Sequence, residues 1–302
     1  MTVAGAFTKR EQRGVALIVV LWIVVLLTIT VGVFAVLART ESLQARFLFD
    51  TTTARYAAEA GIHRAAYEMR NPDIETRWVP DGRPYQMEFG DAMVEMRITD
   101  ETGKLDLNRA SVELLTDFFI SRGVEETEAM HLADAVQDWQ DNDDLPRLYG
   151  AEVDEYSAAG YPYGPANMPF GSVDELQQLI GMSWELFQRI EPYLTVHANR
   201  GQINPAFAPP ELLAALPDVD LEGARQFVEE RRQMLPTDMR ELMLPNGMLV
   251  SLRGGGRTFS IRSRAVLSTG TWSEVQATVE LGSDLRGRPF RVLKWRDHVE
   301  DQ

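Results

Sequence analysis

The sequence predicts an α+β fold: one very long N-terminal helix packed on a small antiparallel sheet, with a large all-α insertion interrupting that sheet. Three observations predict it. Residues 15–38 carry no charge, and no proline interrupts the chain between Val15 and Pro72. Alternating apolar residues, the period of a half-buried strand, run through 84–99 and return after residue 257. Between Leu105 and Leu249 the pattern is helical and punctuated by turn residues.

The helix follows a short polar leader in which Lys9, Arg10 and Arg13 outweigh Glu11. Val15 to Ala38 is an apolar run of 24 residues. As a helix it spans about 36 Å at ~1.5 Å per residue, enough for a hydrocarbon core of ~30 Å. A secretory signal peptide has an apolar region of only ~7–15 residues and a small-residue cleavage site, so this segment reads as a single-pass anchor. The basic leader predicts a cytoplasmic N-terminus, with everything after Arg39 outside the membrane. Leu43, Phe47, Ala54, Ala57, Gly61, Ala65 and Met69 then recur mainly at spacings of three and four, one stripe of an amphipathic helix. A single helix is therefore expected to run from Val15 to about Met69.

Pro84–Thr99 reads as a hairpin turning at Gly90-Asp91. Strands return at Thr258–Leu267, Trp272–Leu281 and Phe290–Trp295. The expected organisation is a leader over 1–14, a membrane helix over 15–38, and an amphipathic helix with the first strands over 39–103. A helical insertion follows over 104–250, in modules of about 104–200 and 201–250, and closing strands over 251–302. Gly254-Gly255-Gly256 marks the return to the sheet. No Gly-Lys-Ser/Thr follows it, so a flexible linker is expected rather than a phosphate loop.

Composition limits what these elements do. Thirty Lys and Arg against 45 Asp and Glu give the 302 residues a formal charge of −15, which repels nucleic acid phosphates and anionic lipid. The absence of Cys excludes thiolate catalysis, disulfides and Cys-ligated metals. The four His (His63, His131, His197, His298) form no local motif, so composition counts against an enzyme.

The insertion holds a degenerate repeat. Gly103, Asn108 and Glu113-Leu114-Leu115 correspond to Gly201, Asn204 and Glu211-Leu212-Leu213. Ser111 suits the N-cap of the first helix and Pro209-Pro210 the first turn of the second. Both copies resemble the start of helix–hairpin–helix or SAM-like modules. DNA-binding members offer the backbone N–H groups of a Leu-Pro-Gly-Ile-Gly hairpin to phosphate. Here the stretch is Leu216-Pro217-Asp218-Val219-Asp220, with Asp at both glycine positions, and no nucleic acid partner is expected.

Residues 138–155 hold seven carboxylates and one Arg, interleaved with Trp139, Leu145, Pro146, Leu148 and Tyr149. Hard oxygen ligands without His or Cys suit Ca²⁺. Counting from Asp141, an EF-hand fits at Asp143 and Glu152, but Leu145 and Pro146 stand at its fifth and glycine positions, so this is not an EF-hand. A calcium site and a solvated acidic face both accommodate these residues.

The Lys9-Arg10-Glu11-Gln12-Arg13-Gly14 leader before a long apolar helix resembles that of type IV prepilins and pseudopilins. The resemblance implies cleavage by prepilin peptidase between Gly14 and Val15 and N-methylation of Val15. Most members carry Glu at the fifth mature position, where this chain has Val19. Lack of that Glu is the pattern of K-type minor pseudopilins of type II secretion. The acidic segment is similar to theirs, as are Pro162-Tyr163-Gly164-Pro165-Ala166-Asn167-Met168-Pro169-Phe170 and Ser172-Val173-Asp174-Glu175. The resemblance implies a pseudopilin fold and a structural calcium held by Asp141, Asp143, Asp144 and Glu152, with Asp138 and Asp154 as further candidates. It implies I-type and J-type minor pseudopilins and the pseudopilus as partners, no catalysis, and a cell inner membrane location with a periplasmic body. The alternative is a membrane-anchored helix–hairpin–helix DNA receptor of the competence type.

Overall fold

A computed structural model describes residues 15–234, 240–252, 254–282 and 287–298. The chain divides into two compact units, Met1–Thr53 and Ala54–Gln302, and helix α1 (Val15–Met69) contributes to both. The leader and Gly14 lie outside the described residues.

In the first unit α1 is the one helix long and apolar enough, among the described residues, to cross a membrane. Thr28 and Thr30 return their hydroxyl protons to the carbonyls of Val24 and Leu26, both at 2.8 Å. This satisfies their polar groups within the helix, as an apolar surrounding requires. The predicted stripe is buried only from Ala54 onward; Leu43 and Phe47 are exposed, because nothing in this unit covers them.

The second unit holds an antiparallel sheet in the order β1-β2-β7-β8-β9. The strands are β1 (Asp81–Phe89) and β2 (Ala92–Asp100), then β7 (Thr258–Leu267), β8 (Trp272–Leu281) and β9 (Phe290–His298). β1 and β2 turn at Gly90-Asp91, where Phe89 pairs with Ala92 and Gly90 takes a φ of 63°. A two-residue hairpin with positive φ at its first position needs Gly there. Val94, Met96 and Ile98 of β2, Ile261 of β7 and Val275 and Val279 of β8 share one core with Ala54, Ala58, Ile62 and Ala65 of α1. All of these helix residues but Ile62 are alanine, because the backbone lies close to the sheet. A Cβ on Gly61 would meet Ser263 Oγ and come within 2.9 Å of Val94 Cγ1.

The insertion runs between β2 and β7 and has a hydrophobic core of its own. It contains β3 (Leu105–Asp106), α2 (Val112–Ser121), α3 (Glu126–Gln140), α4 (Val153–Ala158) and α5 (Trp184–Ile190). It continues through β4 (Leu194–Thr195), α6 (Pro210–Leu213), α7 (Leu221–Gln233), β5 (Leu242–Met243) and β6 (Leu249–Val250). It is thus not all-α. Parallel pairing of Leu105 with Leu194 clips the start of the first module to its end, and β5 pairs antiparallel with β6. One core joins both expected modules, taking in Leu115 and Phe118 as well as Leu212 and Phe227.

The glycine run is not a loose linker. The Gly256 N–H donates to Asp100 Oδ2 at 2.7 Å, and a Cβ on Gly255 would meet Asp100 and Phe207. The returning chain is pinned against the end of β2.

Candidate metal centre

The acidic loop is built around Asp138, near the C-terminus of α3 and wholly buried. Its Oδ2 accepts the backbone N–H groups of Arg147 at 3.1 Å and Ala151 at 2.9 Å, so the loop wraps around this one carboxylate. One turn earlier on the same face, Asp134 accepts the Tyr149 N–H at 3.0 Å. Gly150 passes so close that a Cβ there would meet Asp138 Oδ2. Beneath the loop Trp139 stacks on Phe170, ring centroids 5.7 Å apart. Buried Tyr156 takes the Ile180 N–H on its hydroxyl at 3.2 Å. Leu145 and Leu148, in contrast, project into solvent.

Glu152 stands at the N-cap of α4, 3% exposed, its N–H donating to Glu155 at 2.9 Å. Its side chain faces the Glu155 N–H in a capping box, but neither carboxylate oxygen makes an aligned hydrogen bond, and neither does Asp138 Oδ1 or Asp141 Oδ1. Arg147 is the local counter-charge, with Nε 3.2 Å from Asp138 Oδ1 and Nη2 3.5 Å from Asp141 Oδ2. The first contact is an ion pair without hydrogen-bond alignment. Burial, then the charges of Asp138, Asp141, Asp144 and Asp143, push the Glu152 carboxyl up to about 7. Burial raises Asp138 as well.

Of the six carboxylates singled out in the sequence, four (Asp138, Asp141, Asp143 and Asp144) therefore act on a fifth, Glu152. Asp154 is exposed on α4. Among the described residues no three His, Asp or Glu already stand close enough to enclose an ion. Four buried hard oxygens without a hydrogen bond, one of them facing Arg147, nonetheless have the chemistry of a Ca²⁺ donor set, and the residues fit the ion in kind. Asp134 and Gly150 were not singled out in the sequence. For Asp134 a signal exists, since its spacing of four from Asp138 puts both carboxylates on one face of α3.

The helix–hairpin–helix candidate is closed to phosphate. Asp218 takes the left-handed backbone, φ 58°, at a position where the DNA-binding hairpin has Gly. Asp220 caps α7, its Oδ1 accepting the Gly223 N–H at 2.9 Å. A carboxylate already occupies the helix N-terminus that an anion would need. On α1, Val15 opens the helix and Val19 is exposed.

The family model described as type II secretion system, protein K, matches residues 96–199, which include the acidic loop. Type II secretion system protein K of Klebsiella pneumoniae is 29% identical over 250 residues, covering 74% of this chain and 76% of that protein. Protein K of Pseudomonas aeruginosa is 28% identical over 252 residues, covering 74% and 73%. A chain in the crystal structure of the GspK-GspI-GspJ complex from enterotoxigenic Escherichia coli superimposes with a TM-score of 0.55 at 18% identity, covering 87% of this chain and 99% of that one. Long apolar helix, antiparallel sheet and inserted domain are the fold of that chain, and with the family match they point to one class, the minor pseudopilins of type II secretion. Within that class, the chain is similar to the protein K family, over about three quarters of its length.

Proposed function

We propose that this subunit stands at the tip of the type II secretion pseudopilus, where it helps initiate assembly and caps the filament for export of folded proteins. The observation that carries the reading is Val19, where most pilin-like subunits have Glu. A carboxylate buried among apolar helices is costly unless paired, and its partner in this family is the terminal amine of the neighbouring subunit. A subunit with no neighbour above it needs no such carboxylate. The insertion adds bulk beside the sheet, which suits a cap.

Prepilin peptidase removes the leader after Gly14 and Val15 is methylated. The helix holds the subunit in the inner membrane with its body in the periplasm until assembly. Its partners are I-type and J-type minor pseudopilins, an arrangement supported by the fold shared with a chain of the GspK-GspI-GspJ complex. No reaction is catalysed. In the body, Asp138, Asp141, Asp143, Asp144 and Glu152 hold a structural Ca²⁺. The ion supplies positive charge that relieves carboxylate repulsion and fixes the loop to α3 and α4. The helix–hairpin–helix-like modules serve as scaffold rather than as a DNA receptor.

The test is site-specific crosslinking from positions on α1 in cells with the I-type and J-type subunits present. The reading expects adducts to those two subunits and a processed, methylated Val15 by mass spectrometry. Crosslinks chiefly between copies of this chain, or an intact leader where prepilin peptidase is active, would overturn it.

A further inference from the structure

A cleft of about 700 Å³ lies between the sheet face turned away from α1 and the insertion. In a protein of net charge −15 it is basic: seven Arg or Lys line it against four Asp or Glu. Most of these cations are matched. Lys104 pairs with Glu101, Arg262 with Glu274, and Arg97 with Glu95, while Lys294 and Arg296 share Asp174.

Two cations are not matched. Arg231 of α7 is 3% exposed and has no ion pair among the described residues. Its Nη1 donates to the carbonyls of Pro205 at 2.8 Å and Ala208 at 2.9 Å, and its Nε has no partner. Burial pulls its guanidinium down to about 10; Asp81, itself paired with Arg83, opposes the fall, and Arg232 and Arg83 add to it. Arg232 is exposed at the same wall, also without an ion pair among the described residues. A buried guanidinium without an ion pair of its own is costly, and an anion in the cleft would relieve it. Tyr193, Val196, Pro210 and Val228 add apolar surface beside these cations. The space is that of a sizeable ligand, far more than a single ion fills.

We propose that this cleft binds an acidic, partly apolar peptide segment of a partner protein, its carboxylates meeting Arg231 and Arg232 and its apolar side chains the wall beside them. Charge complementarity selects the occupant, because the cleft's unmatched charge is positive on an acidic body. The inference goes beyond the tip position and stands without it.

The test uses the full chain in detergent micelles and a labelled, capped octapeptide alternating glutamate and leucine. Its glutamine counterpart and sodium sulfate are the comparison probes. The acidic peptide is expected to bind with salt-sensitive affinity and the glutamine peptide not to. Arg232→Glu is expected to weaken binding by about tenfold or more with an unchanged melting temperature. Arg231→Gln should weaken it too, but Arg232→Glu carries the test because Arg231 also braces backbone carbonyls. Equal binding of both peptides, absence of binding at about 1 mM, or an unchanged affinity in Arg232→Glu would overturn the proposal. So would sulfate displacing the peptide at the peptide's own affinity, which would make the cleft a site for small anions.

Discussion

Glu152 carries a charge that the fold does not pair. Its carboxylate oxygens make no aligned hydrogen bond and four other carboxylates act on it, so ionisation at neutral pH works against the folded body unless a cation is present. Glu152→Gln keeps the size and removes the charge. It should raise the melting temperature of chelator-treated protein by a few degrees, on the order of 1 kcal/mol in a domain of this size, and abolish the rise that calcium gives the natural chain. Scanning calorimetry with calcium and with chelator checks both; a variant less stable than the natural chain in chelator would show that Glu152 is not under repulsion. His197 titrates in the opposite sense. Burial, with Lys104 and Lys294, outweighs Glu101 and Asp106 and lowers its pKa below 6.5. A folded value below the unfolded one means that its stabilising contribution is full above about pH 6.5 and is lost as pH falls through the folded value. His197→Asn should therefore flatten the part of the stability profile just below pH 6.5, measured by urea unfolding at a series of pH values.

At the scale of elements, the contact between α1 and the sheet depends on one absent side chain. Gly61 faces Ser263 Oγ, itself buried without a partner, and Val94. Gly61→Ala is expected to cost about 1–3 kcal/mol by overpacking. Adding Ser263→Ala should return part of that loss, since the oxygen it removes is the first atom the new methyl meets. Chemical denaturation of the two single variants and the double variant measures the coupling, and strict additivity would mean the clash is relieved elsewhere. The same packing explains what could be read in the sequence. β7 and β8 coincide with the predicted strands because β7 alternates over its ten residues and β8 over Val275, Ala277, Val279 and Leu281, each with one face on α1. The Gly90-Asp91 turn was legible because two-residue hairpins demand that chemistry. β3 with β4 and β5 with β6 were not, since two-residue ladders are too short to show a period. Nor were the pinning of Gly256 by Asp100 or the cleft around Arg231, which join residues more than a hundred positions apart. The acidic loop was visible as composition, but its focus on Asp138 needs the three-dimensional course of residues 147–151.

Among the described residues of the Ala54–Gln302 unit there are two separate hydrophobic cores, one between α1 and the sheet and one inside the insertion. The prominent contacts that join them are polar. Lys104 Nζ reaches Ser260 Oγ at 3.1 Å, Ser260 donates to Glu101 at 2.6 Å, and Arg296 binds Glu191 at 2.7 Å. The sheet face on that side presents Arg97, Thr99, Ser260, Arg262, Gln276 and Thr278, a surface that water can solvate. The ends of the insertion are also neighbours, because Asp100 pairs directly with Phe259 across β2 and β7. A chain of this kind behaves as a pilin-like domain carrying a second domain at a hairpin, and insertion at an exposed turn leaves the host's core intact. Replacing residues 101–258 by a two-residue asparagine–glycine turn should therefore leave a body that folds cooperatively, with β2 and β7 joined as an ordinary hairpin. Its melting temperature should fall, because burial of Glu101 and Lys104 against the sheet is lost, but a single thermal transition and dispersed amide resonances should remain. A body without a cooperative transition would mean that the sheet depends on the insertion for its stability, and that the two cores are one folding unit joined through the cleft.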